Sequence, residues 1–488
     1  MRFNRKITTT TVASGFLLLS AATVLAGPVY QPPGANLTYG DVTHGQRVQS
    51  ASSNPAAAAA DLARASENST RGTVLSVAAG LEYGNVQNLF DFYDEITGAY
   101  TPSDPGDGGD PGDDDGGINI GDILDNLDPE FKEALDAIAK EVVTQTALLA
   151  LIAEEGYGKA WVSSDLPFVL GSEHFGGAWT FGANWSGTSK AFGLAQAIEF
   201  DRDAAQQALE DWFNTLPINR PVQLPIGGDI ILTPNPITNA VLFAIENDSS
   251  ILTKATRTTE LNFGYSRQAW SNSAGNLYLG AEARIYLMQL SRASVRFGDI
   301  TDSKELFDSI RNAEFRDDTR LGVDLGALWV SNNYQLGVQV TNLNEPKFTF
   351  PDVNLEPYRD EGAIRFLQAD QNYTMDRQFK FEASLFTDDR RWSAHLGYDA
   401  DGATDPLGDE YQWLTVSGGF TTDSWWIPGG RLGFRQNLTG TKMKYIGIGV
   451  TAFKIVNFDI SSALDTVKID GQKLPQGLMF SLGFQITW

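Results

Sequence analysis

The last eleven residues of the chain alternate between apolar and small or polar side chains. One parity holds Leu478, Phe480, Leu482, Phe484, Ile486 and Trp488, and the other holds Met479, Ser481, Gly483, Gln485 and Thr487. Successive side chains of a β-strand point to opposite faces, so this pattern predicts a strand with one wholly apolar face. The same period recurs upstream, for example from Trp179 to Ser186 and from Leu277 to Ile285. The chain is therefore predicted to be all-β.

Fourteen such strands are predicted between residues 72 and 488. They begin near Thr73, Gly158, Gly177, Lys254, Asn276, Leu321, Asn333, Asp376, Arg391, Glu410, Gly430, Met443, Phe453 and Gln476. Long connections alternate with short ones. The long ones are Asn85–Tyr157, Phe200–Thr253, Ser291–Asp318 and Asn344–Met375. An even number of strands with short turns at one end and long loops at the other is the plan of a transmembrane antiparallel β-barrel.

A secreted two-sheet protein shows the same alternation, because each of its strands also buries one face. Two features favour the barrel. Trp179, Trp185 and Trp329 lie near strand ends on the apolar face, and the opposite face is rich in Gly and Thr, which suits a lumen. In lipid the sheet must close, since an open edge would leave backbone groups unpaired. We therefore expect an outer-membrane location, contact with membrane lipid, and recognition of the last strand by the barrel-assembly machinery through Phe480, Gly483, Phe484, Ile486 and Trp488.

The N-terminus has the pattern of a secretory signal peptide over residues 1–26. Arg2, Arg5 and Lys6 precede an apolar stretch around Phe16–Leu19, and Val24-Leu25-Ala26 provides the small or apolar residues that signal peptidase reads. An uncleaved anchor is disfavoured because the apolar stretch is short and is followed by Gly27 and several prolines.

Charge and composition exclude several classes of function. The chain has 36 Lys and Arg against 61 Asp and Glu, a formal net charge of −25, so it lacks the basic face that nucleic acid requires. It contains no cysteine, which excludes disulfides and thiolate metal sites. An acidic insertion at 85–157 carries 18 acids and 2 bases. Helices are predicted there from Asp128 to about Glu155, in a second insertion at 200–253 from Asp203 to Leu216, and at Ser303–Asn312.

A short N-terminal motif carries a family resemblance. Asn54-Pro55-Ala56, followed by an Ala-rich helix to about Ala65, stands between the signal peptide and the first strand. Together with fourteen strands, the aromatic C-terminal residue and the strand-to-loop stretch Leu336–Phe348, it resembles the FadL-type outer-membrane superfamily, most closely the TraF-like conjugal transfer branch, and also PorV-like proteins. The resemblance implies that residues 27–71 fold inside the barrel as a hatch with Asn54, Pro55 and Ala56 at its turn. An ordinary N-cap with proline in the first helical turn is the alternative interpretation.

The sequence offers few candidates for catalysis. On the strand from Arg391, Ser393 and His395 share the inner face, but any two residues two apart do so, and a hydrogen-bonded lumen histidine is the simpler interpretation. No phosphate-binding loop is present. The aspartates at 110–122 do not fit an EF-hand, because Pro111 occupies its first ligand position. We therefore expect a non-enzymatic protein without cofactor or metal, whose lumen is lined by Glu282, Arg284, Asp324, Gln335, Gln339 and His395.

Two functions remain open at this stage. The first is passive transport of hydrophobic or amphipathic small molecules across the outer membrane, which predicts an apolar pocket under the loops and a hydrophobic ligand as partner. The second is a structural or interaction role in an envelope conjugation or secretion system, which predicts a blocked lumen and loops that bind protein. The acidic insertion, by repelling carboxylates, counts against a fatty-acid ligand.

Overall fold

The computed structural model describes residues 33–44, 48–64, 71–84, 118–119, 156–172, 176–194, 196, 207, 224–225, 229–235, 240–245, 247–296, 313–469 and 472–488. The predicted signal peptide and the predicted helices at 128–155 and 303–312 lie outside these residues, and of the helix predicted at 203–216 only residue 207 lies among them.

Fourteen antiparallel strands form one closed barrel. Each strand pairs with its neighbours in the chain, and β1 closes the ring by pairing with β14, from Gly72 opposite Thr487 to Glu82 opposite Gly477. The strands are β1 (Arg71–Tyr83), β2 (Tyr157–Ser172), β3 (Gly177–Leu194), β4 (Ser250–Asn272), β5 (Gly275–Arg296), β6 (Arg316–Val330), β7 (Tyr334–Thr341), β8 (Gln378–Phe386), β9 (Trp392–Asp399), β10 (Trp413–Phe420), β11 (Gly429–Asn437), β12 (Lys444–Ala452), β13 (Val456–Ala463) and β14 (Gly477–Thr487). The predicted all-β fourteen-stranded barrel is confirmed.

The outer face of the barrel is apolar around the whole ring. Large side chains such as Leu166, Phe263, Leu325, Ile448 and Phe480 are each more than 40% exposed. A soluble monomer rarely exposes so continuous an apolar surface, whereas a barrel in lipid requires it. Aromatic pairs collect where the strands meet the short turns, including Trp270 with Trp329, Phe168 with Trp488, and Trp392 with Phe420. These aromatic pairs form the interfacial girdle of an outer-membrane β-barrel. The protein is an outer-membrane β-barrel.

The two ends of the barrel differ. The strand ends that carry the aromatic pairs are joined by short turns such as 331–333 and 387–391, and β1 begins and β14 ends there. In outer-membrane barrels this end faces the periplasm. The other end, called the outer mouth below, carries the long connections. Four short strands of a separate sheet belong to these connections, namely Ile118–Asn119, Leu224–Pro225, Ile230–Asn235 and Ala240–Ile245.

Several boundaries of the long loops were predicted wrongly. The second insertion does not reach Thr253, because β4 begins at Ser250, and β5 and β6 both continue into the loop predicted at 291–318. Cross-strand pairing extends these strands beyond the residues whose alternation is clear in the sequence.

The helices whose bounds the structure describes lie in two places. Two lie in the N-terminal part, α1 (Asn36–Tyr39) and α2 (Ala57–Arg64), with a 3₁₀-helix at Gln49–Ser52 between them. The third, α3 (Glu361–Ala369), lies in the fourth long loop, where no helix was predicted, and Asp360 caps it by accepting a hydrogen bond from the amide of Ala363 at 2.7 Å. None of the described helices is long and apolar enough to cross a membrane.

Candidate functional site

The N-terminal segment, residues 33–44 and 48–64, lies inside the barrel. Its residues are almost all buried, and they bond to inner-face side chains of seven strands distributed around the ring. The contacts join Ser52 to Asp165 on β2, Ala59 to Ser266 on β4, Arg64 to Gln335 on β7, Thr43 to Glu382 on β8, Tyr39 to Ser417 on β10, Thr38 to Asp459 on β13 and Gly34 to Ser481 on β14. The segment is therefore anchored on all sides of the lumen.

The Asn54-Pro55-Ala56 turn lies at the wall of the lumen. Asn54 Oδ1 accepts a hydrogen bond from the amide of Ala56 at 3.0 Å, and Asn54 Nδ2 donates to Glu382 Oε1 at 2.9 Å. The turn rests on Gly280 and Gly326, which are partners across β5 and β6. A Cβ on Gly326 would lie 2.9 Å from Pro55 Cδ, so the wall accommodates the turn only because both positions lack a side chain. The motif thus forms an Asx turn immediately before α2 and also contacts the barrel.

A cavity of about 220 Å³ lies beside the N-terminal segment. This is many times the ~10–15 Å³ that a cavity needs to hold one water molecule, so it can hold several waters or one small solute. Its lining is mixed, with slightly more polar than apolar surface, and so differs from the apolar pocket that uptake of hydrophobic solutes predicts. The ionisable residues in the lining are Asp41, Asp165, Glu260, Arg284, Asp324, Lys380, Asp399 and Arg435.

One arginine in this cavity is surrounded by three carboxylates. Arg284 lies 2.6 Å from Glu260, 2.8 Å from Glu282 and 2.7 Å from Asp324. The cluster has a formal net charge of −2, and all four side chains are largely buried. Burial of an ion pair stabilises only when every charge is compensated, so the guanidinium is committed to these carboxylates. Lys380 is likewise engaged by Asp41, at 2.5 Å.

The cavity wall formed by β2, β3 and β4 carries two rows of polar side chains. Asp165, Asn184 and Glu260 are successive cross-strand partners, and Ser163, Ser186 and Thr258 form the neighbouring row. Asp165 is 6% exposed; its Oδ2 accepts a hydrogen bond from Ser52 at 2.9 Å, while its Oδ1 is buried without a partner among the described residues. The side-chain oxygens of Asn184, Ser163 and Thr258 are also buried without one there: Asn184 Oδ1, Ser163 Oγ and Thr258 Oγ1.

The outer mouth is crossed by the loop 400–412, which joins β9 and β10. Lys159 on β2 lies 2.5 Å from Asp405 and 2.8 Å from Asp409, and Lys190 on β3 also pairs with Asp409. Strands β2 and β3 lie half-way round the ring from β9 and β10, so these contacts span the lumen. Burial opposes ionisation of Asp409, but the two ammonium groups outweigh it and lower the pKa of Asp409 to about 2. The loop is thus held by buried ion pairs.

The remaining predicted lumen residues face inward but serve different contacts. Gln335 contacts Arg64 of the N-terminal segment, and Gln339 lies in the cavity lining. His395 is 3% exposed, with Nδ1 2.7 Å from Ser384 Oγ and Nε2 2.9 Å from Ser393 Oγ. The ring of Tyr39 covers it at 5.2 Å between centroids. Ser393 and His395 are therefore in contact, but the other ring nitrogen of His395 faces the hydroxyl of Ser384 and not a carboxylate. Neither Ser393 nor His395 is in the cavity lining.

On the last strand, Phe480, Phe484, Ile486 and Trp488 face outward and Gly483 faces the lumen. Gly483 there lies against Gly34 of the N-terminal segment.

Sequence reasoning missed the residues that complete the site. Asp165 and Lys159 occupy inner-face positions of β2 and were recognisable from strand parity, as was Glu260 on β4. Asp41 and Ser52 carry no such signal, because only the path of the N-terminal segment brings them to the cavity.

A protein family matches most of this chain. The family described as "F plasmid transfer operon, TraF, protein" matches residues 51–399, which run from the N-terminal segment to the end of β9. The chain belongs to this family. No curated protein sequence matches it.

Solved outer-membrane barrels resemble the chain at low identity. The toluene transporter TodX of Pseudomonas putida is 10% identical, with 95% of this chain and 97% of that one covered and a TM-score of 0.36. A FadL homologue of Pseudomonas aeruginosa is 13% identical, with coverages of 95% and 99% and a TM-score of 0.38. The CymD monoaromatic hydrocarbon channel is 9% identical, with coverages of 95% and 99% and a TM-score of 0.40. At these values nothing about their ligands transfers to this chain.

Proposed function

We propose that the protein is a gated passive channel for small amphipathic molecules, with the N-terminal segment as its inner gate and the loop 400–412 as its outer gate. The observation that carries the proposal is the cavity beside the N-terminal segment. It is large enough for a small solute, and it adjoins the N-terminal segment through Asn36, Asp41 and Ser52.

The lining of the cavity favours the amphipathic part of the expected range of solutes. One part consists of the polar rows on β2, β3 and β4. Another contains the buried side chains of Tyr286, Met375 and Trp413. A purely hydrophobic solute would leave the polar rows without hydrogen-bond partners, which costs free energy in a low-dielectric site. A molecule with a polar head and a small apolar body satisfies both parts.

The contacts of the two gates differ in strength. The inner gate is held mainly by single hydrogen bonds such as Ser52 to Asp165, each contributing about 0.5–1.5 kcal/mol net. The outer gate is held by the buried pairs of Lys159 and Lys190. A solute that binds Asp165 acts on the same carboxylate that Ser52 contacts, and in this way occupancy of the cavity is coupled to movement of the N-terminal segment.

Uptake into proteoliposomes tests the proposal. Benzyltrimethylammonium is a suitable probe, since its fixed charge keeps it from crossing lipid unaided. Vesicles holding the full chain are expected to take it up faster than protein-free vesicles and to exclude sucrose. Uptake at the protein-free rate would overturn the proposal. A heat-modifiability gel, in which a closed barrel migrates faster unboiled than boiled, establishes that the reconstituted protein is folded.

Closure of the lumen favours a second candidate, a structural component of an envelope conjugation apparatus, in keeping with the family's description. The N-terminal segment and the loop 400–412 both block the described lumen. Photo-crosslinkers at Arg365 on the exposed face of α3 are then expected to capture an envelope transfer protein, whereas the same group at the lipid-facing Ile448 captures none. Absence of any protein adduct at Arg365 in conjugating cells would count against this role.

We also infer that residues 27–71 act as the hatch of this barrel and that the barrel-assembly machinery engages β14. The buried N-terminal segment supports the first inference, and the alternating strand β14, which Trp488 follows, supports the second.

A further inference from the structure

The strongest unexplained feature of the lumen is the buried carboxylate of Asp165. Among the other acids of the lining, Glu260 and Asp324 pair with Arg284 and Asp41 pairs with Lys380, while Asp399 accepts hydrogen bonds from Gln378 and from the amide of Trp413. Asp165 forms no ion pair among the described residues, and only its Oδ2 is hydrogen-bonded, to a serine hydroxyl. A buried carboxylate without a cation is costly, so a cation bound beside it would relieve that cost.

Three further oxygens beside Asp165 are also unpaired. Asn184 Oδ1, Ser163 Oγ and Thr258 Oγ1 are buried without hydrogen-bond partners and line the same cavity. Asn184 lies directly opposite Asp165, and Thr258 lies opposite Ser186 in the adjoining row. With strands ~4.8 Å apart and same-face residues ~6.8 Å apart, Asn184 and Ser163 are the neighbours of Asp165, whereas Thr258 lies two strands, ~9.6 Å, from Ser163. The oxygens of Asp165, Asn184 and Ser163 form an acceptor-rich pocket with one negative charge.

We propose that this pocket binds the ammonium group of a small primary amine whose apolar body points toward Tyr286 and Trp413. A primary ammonium has three donors and one positive charge. It can give one N–H to Asp165 Oδ1 and the others to two of the neighbouring oxygens. This inference rests on the proposed function and specifies its solute class.

The neighbouring charges support a cation rather than an anion. Arg284 is saturated by three carboxylates, which leaves that cluster with a formal charge of −2. Lys380 is held by Asp41, and the guanidinium of Arg435 lies 4.3 Å from the ring of Trp413. An anionic solute would therefore meet a negative field with no uncommitted base in this part of the lining.

Binding of benzylamine to the purified full chain in detergent tests the proposal, with benzyl alcohol as the neutral compound of matched shape. Isothermal titration at pH 7 is expected to show tighter binding of benzylamine by at least tenfold. Asp165→Asn, which keeps the shape of the side chain, is expected to remove that preference. Asp389→Asn, which alters a carboxylate in an exposed periplasmic turn, is expected to leave it unchanged.

Equal binding of the two compounds by the wild-type protein, or an unchanged preference in folded Asp165→Asn, would overturn the inference. If Asp165→Asn does not give a heat-modifiable barrel, the wild-type comparison decides the matter, together with Ser163→Ala, which is expected to weaken benzylamine binding about two- to fivefold. The test separates this inference from the proposed function. Benzylamine binding without uptake of benzyltrimethylammonium refutes the channel and supports the pocket, and the reverse result refutes the pocket and supports the channel.

Discussion

Gly280 and Gly326 are cross-strand partners on β5 and β6, and together they form the surface on which Asn54 and Pro55 lie. The N-terminal segment can occupy its position only because these two residues of the wall have no side chain. A side chain added at either glycine would therefore meet the N-terminal segment first.

Gly280→Val is expected to displace the N-terminal segment without unfolding the barrel. A Cβ at this position would overlap the backbone carbonyl of Pro55, while valine is well suited to a strand. Conductance in planar bilayers is expected to rise at least severalfold above that of the wild-type protein. Gly430→Val is the matched control, since a Cβ on Gly430 meets no atom within 4 Å. A folded Gly280→Val barrel with wild-type conductance would contradict the proposed inner gate.

Lys159→Met is expected to release the loop 400–412 from the outer mouth. The change leaves Asp405 and Asp409 buried without their shared cation, and breaking a buried ion pair in this way costs about 3–5 kcal/mol. Leu407→Cys reports the release, because Leu407 is 1% exposed and the chain has no native cysteine. Maleimide labelling is expected to be at least tenfold faster in Lys159→Met.

Arg391→Met provides the control for this labelling experiment. Its ion pairs with Asp389 and Asp423 are exposed, and exposed pairs contribute little to stability. Labelling of Leu407→Cys is expected to stay at the wild-type rate. Protection that persists in Lys159→Met would show that contacts other than these ion pairs hold the loop.

Acidification is expected to release the same loop between about pH 4 and pH 2. The folded pKa of Asp409, about 2, lies below that of the unfolded chain, ~3.9 for Asp. A lowered folded pKa stabilises the docked loop fully above the unfolded value, and this stabilisation disappears as the pH falls through the folded value. Pepsin cleavage within 400–412 is located by mass spectrometry and expressed as the ratio of the cleavage rate in the wild-type protein to that in Lys159→Met. This ratio is expected to increase as the pH falls from about 4 to about 2. A pH-independent ratio would exclude Asp409 as the titrating group.

Ile448→Lys is expected to destabilise the barrel through its lipid-facing surface. Ile448 lies in the middle of β12 and is 55% exposed, and a lysine on the lipid face near the membrane midplane costs about 2–4 kcal/mol. Ile427, which is 58% exposed in a periplasmic turn, gives a control of the same residue type. Ile427→Lys is expected to cost under about 1 kcal/mol. Urea titration of folding into vesicles measures both, and equal costs would argue against burial of Ile448 in lipid.

The alternation of side chains was enough to predict the barrel. Every predicted strand start lies within five residues of the observed one, with the largest differences at β4 and β6. The reason is that lipid on one side and a lumen on the other impose opposite polarity on successive residues. Helix α3 was missed, because its short amphipathic pattern lies between prolines and turn residues in a long loop.

The candidate site was only partly predictable. Glu282, Arg284 and Asp324 were recognised as lumen residues from parity, since parity assigns the face of each residue. Parity does not assign the partner, so it could not show that Glu260 completes the Arg284 cluster or that Asp165 lacks a base.

The amino-acid sequence by itself thus determined the strands, their inner and outer faces and the membrane that surrounds them, because these follow from local periodicity. The tertiary structure decided what lies inside. Ser52 meets Asp165, and Lys159 meets Asp409, across 113 and 250 positions of chain, and only the closure of the ring brings such distant residues within bonding distance.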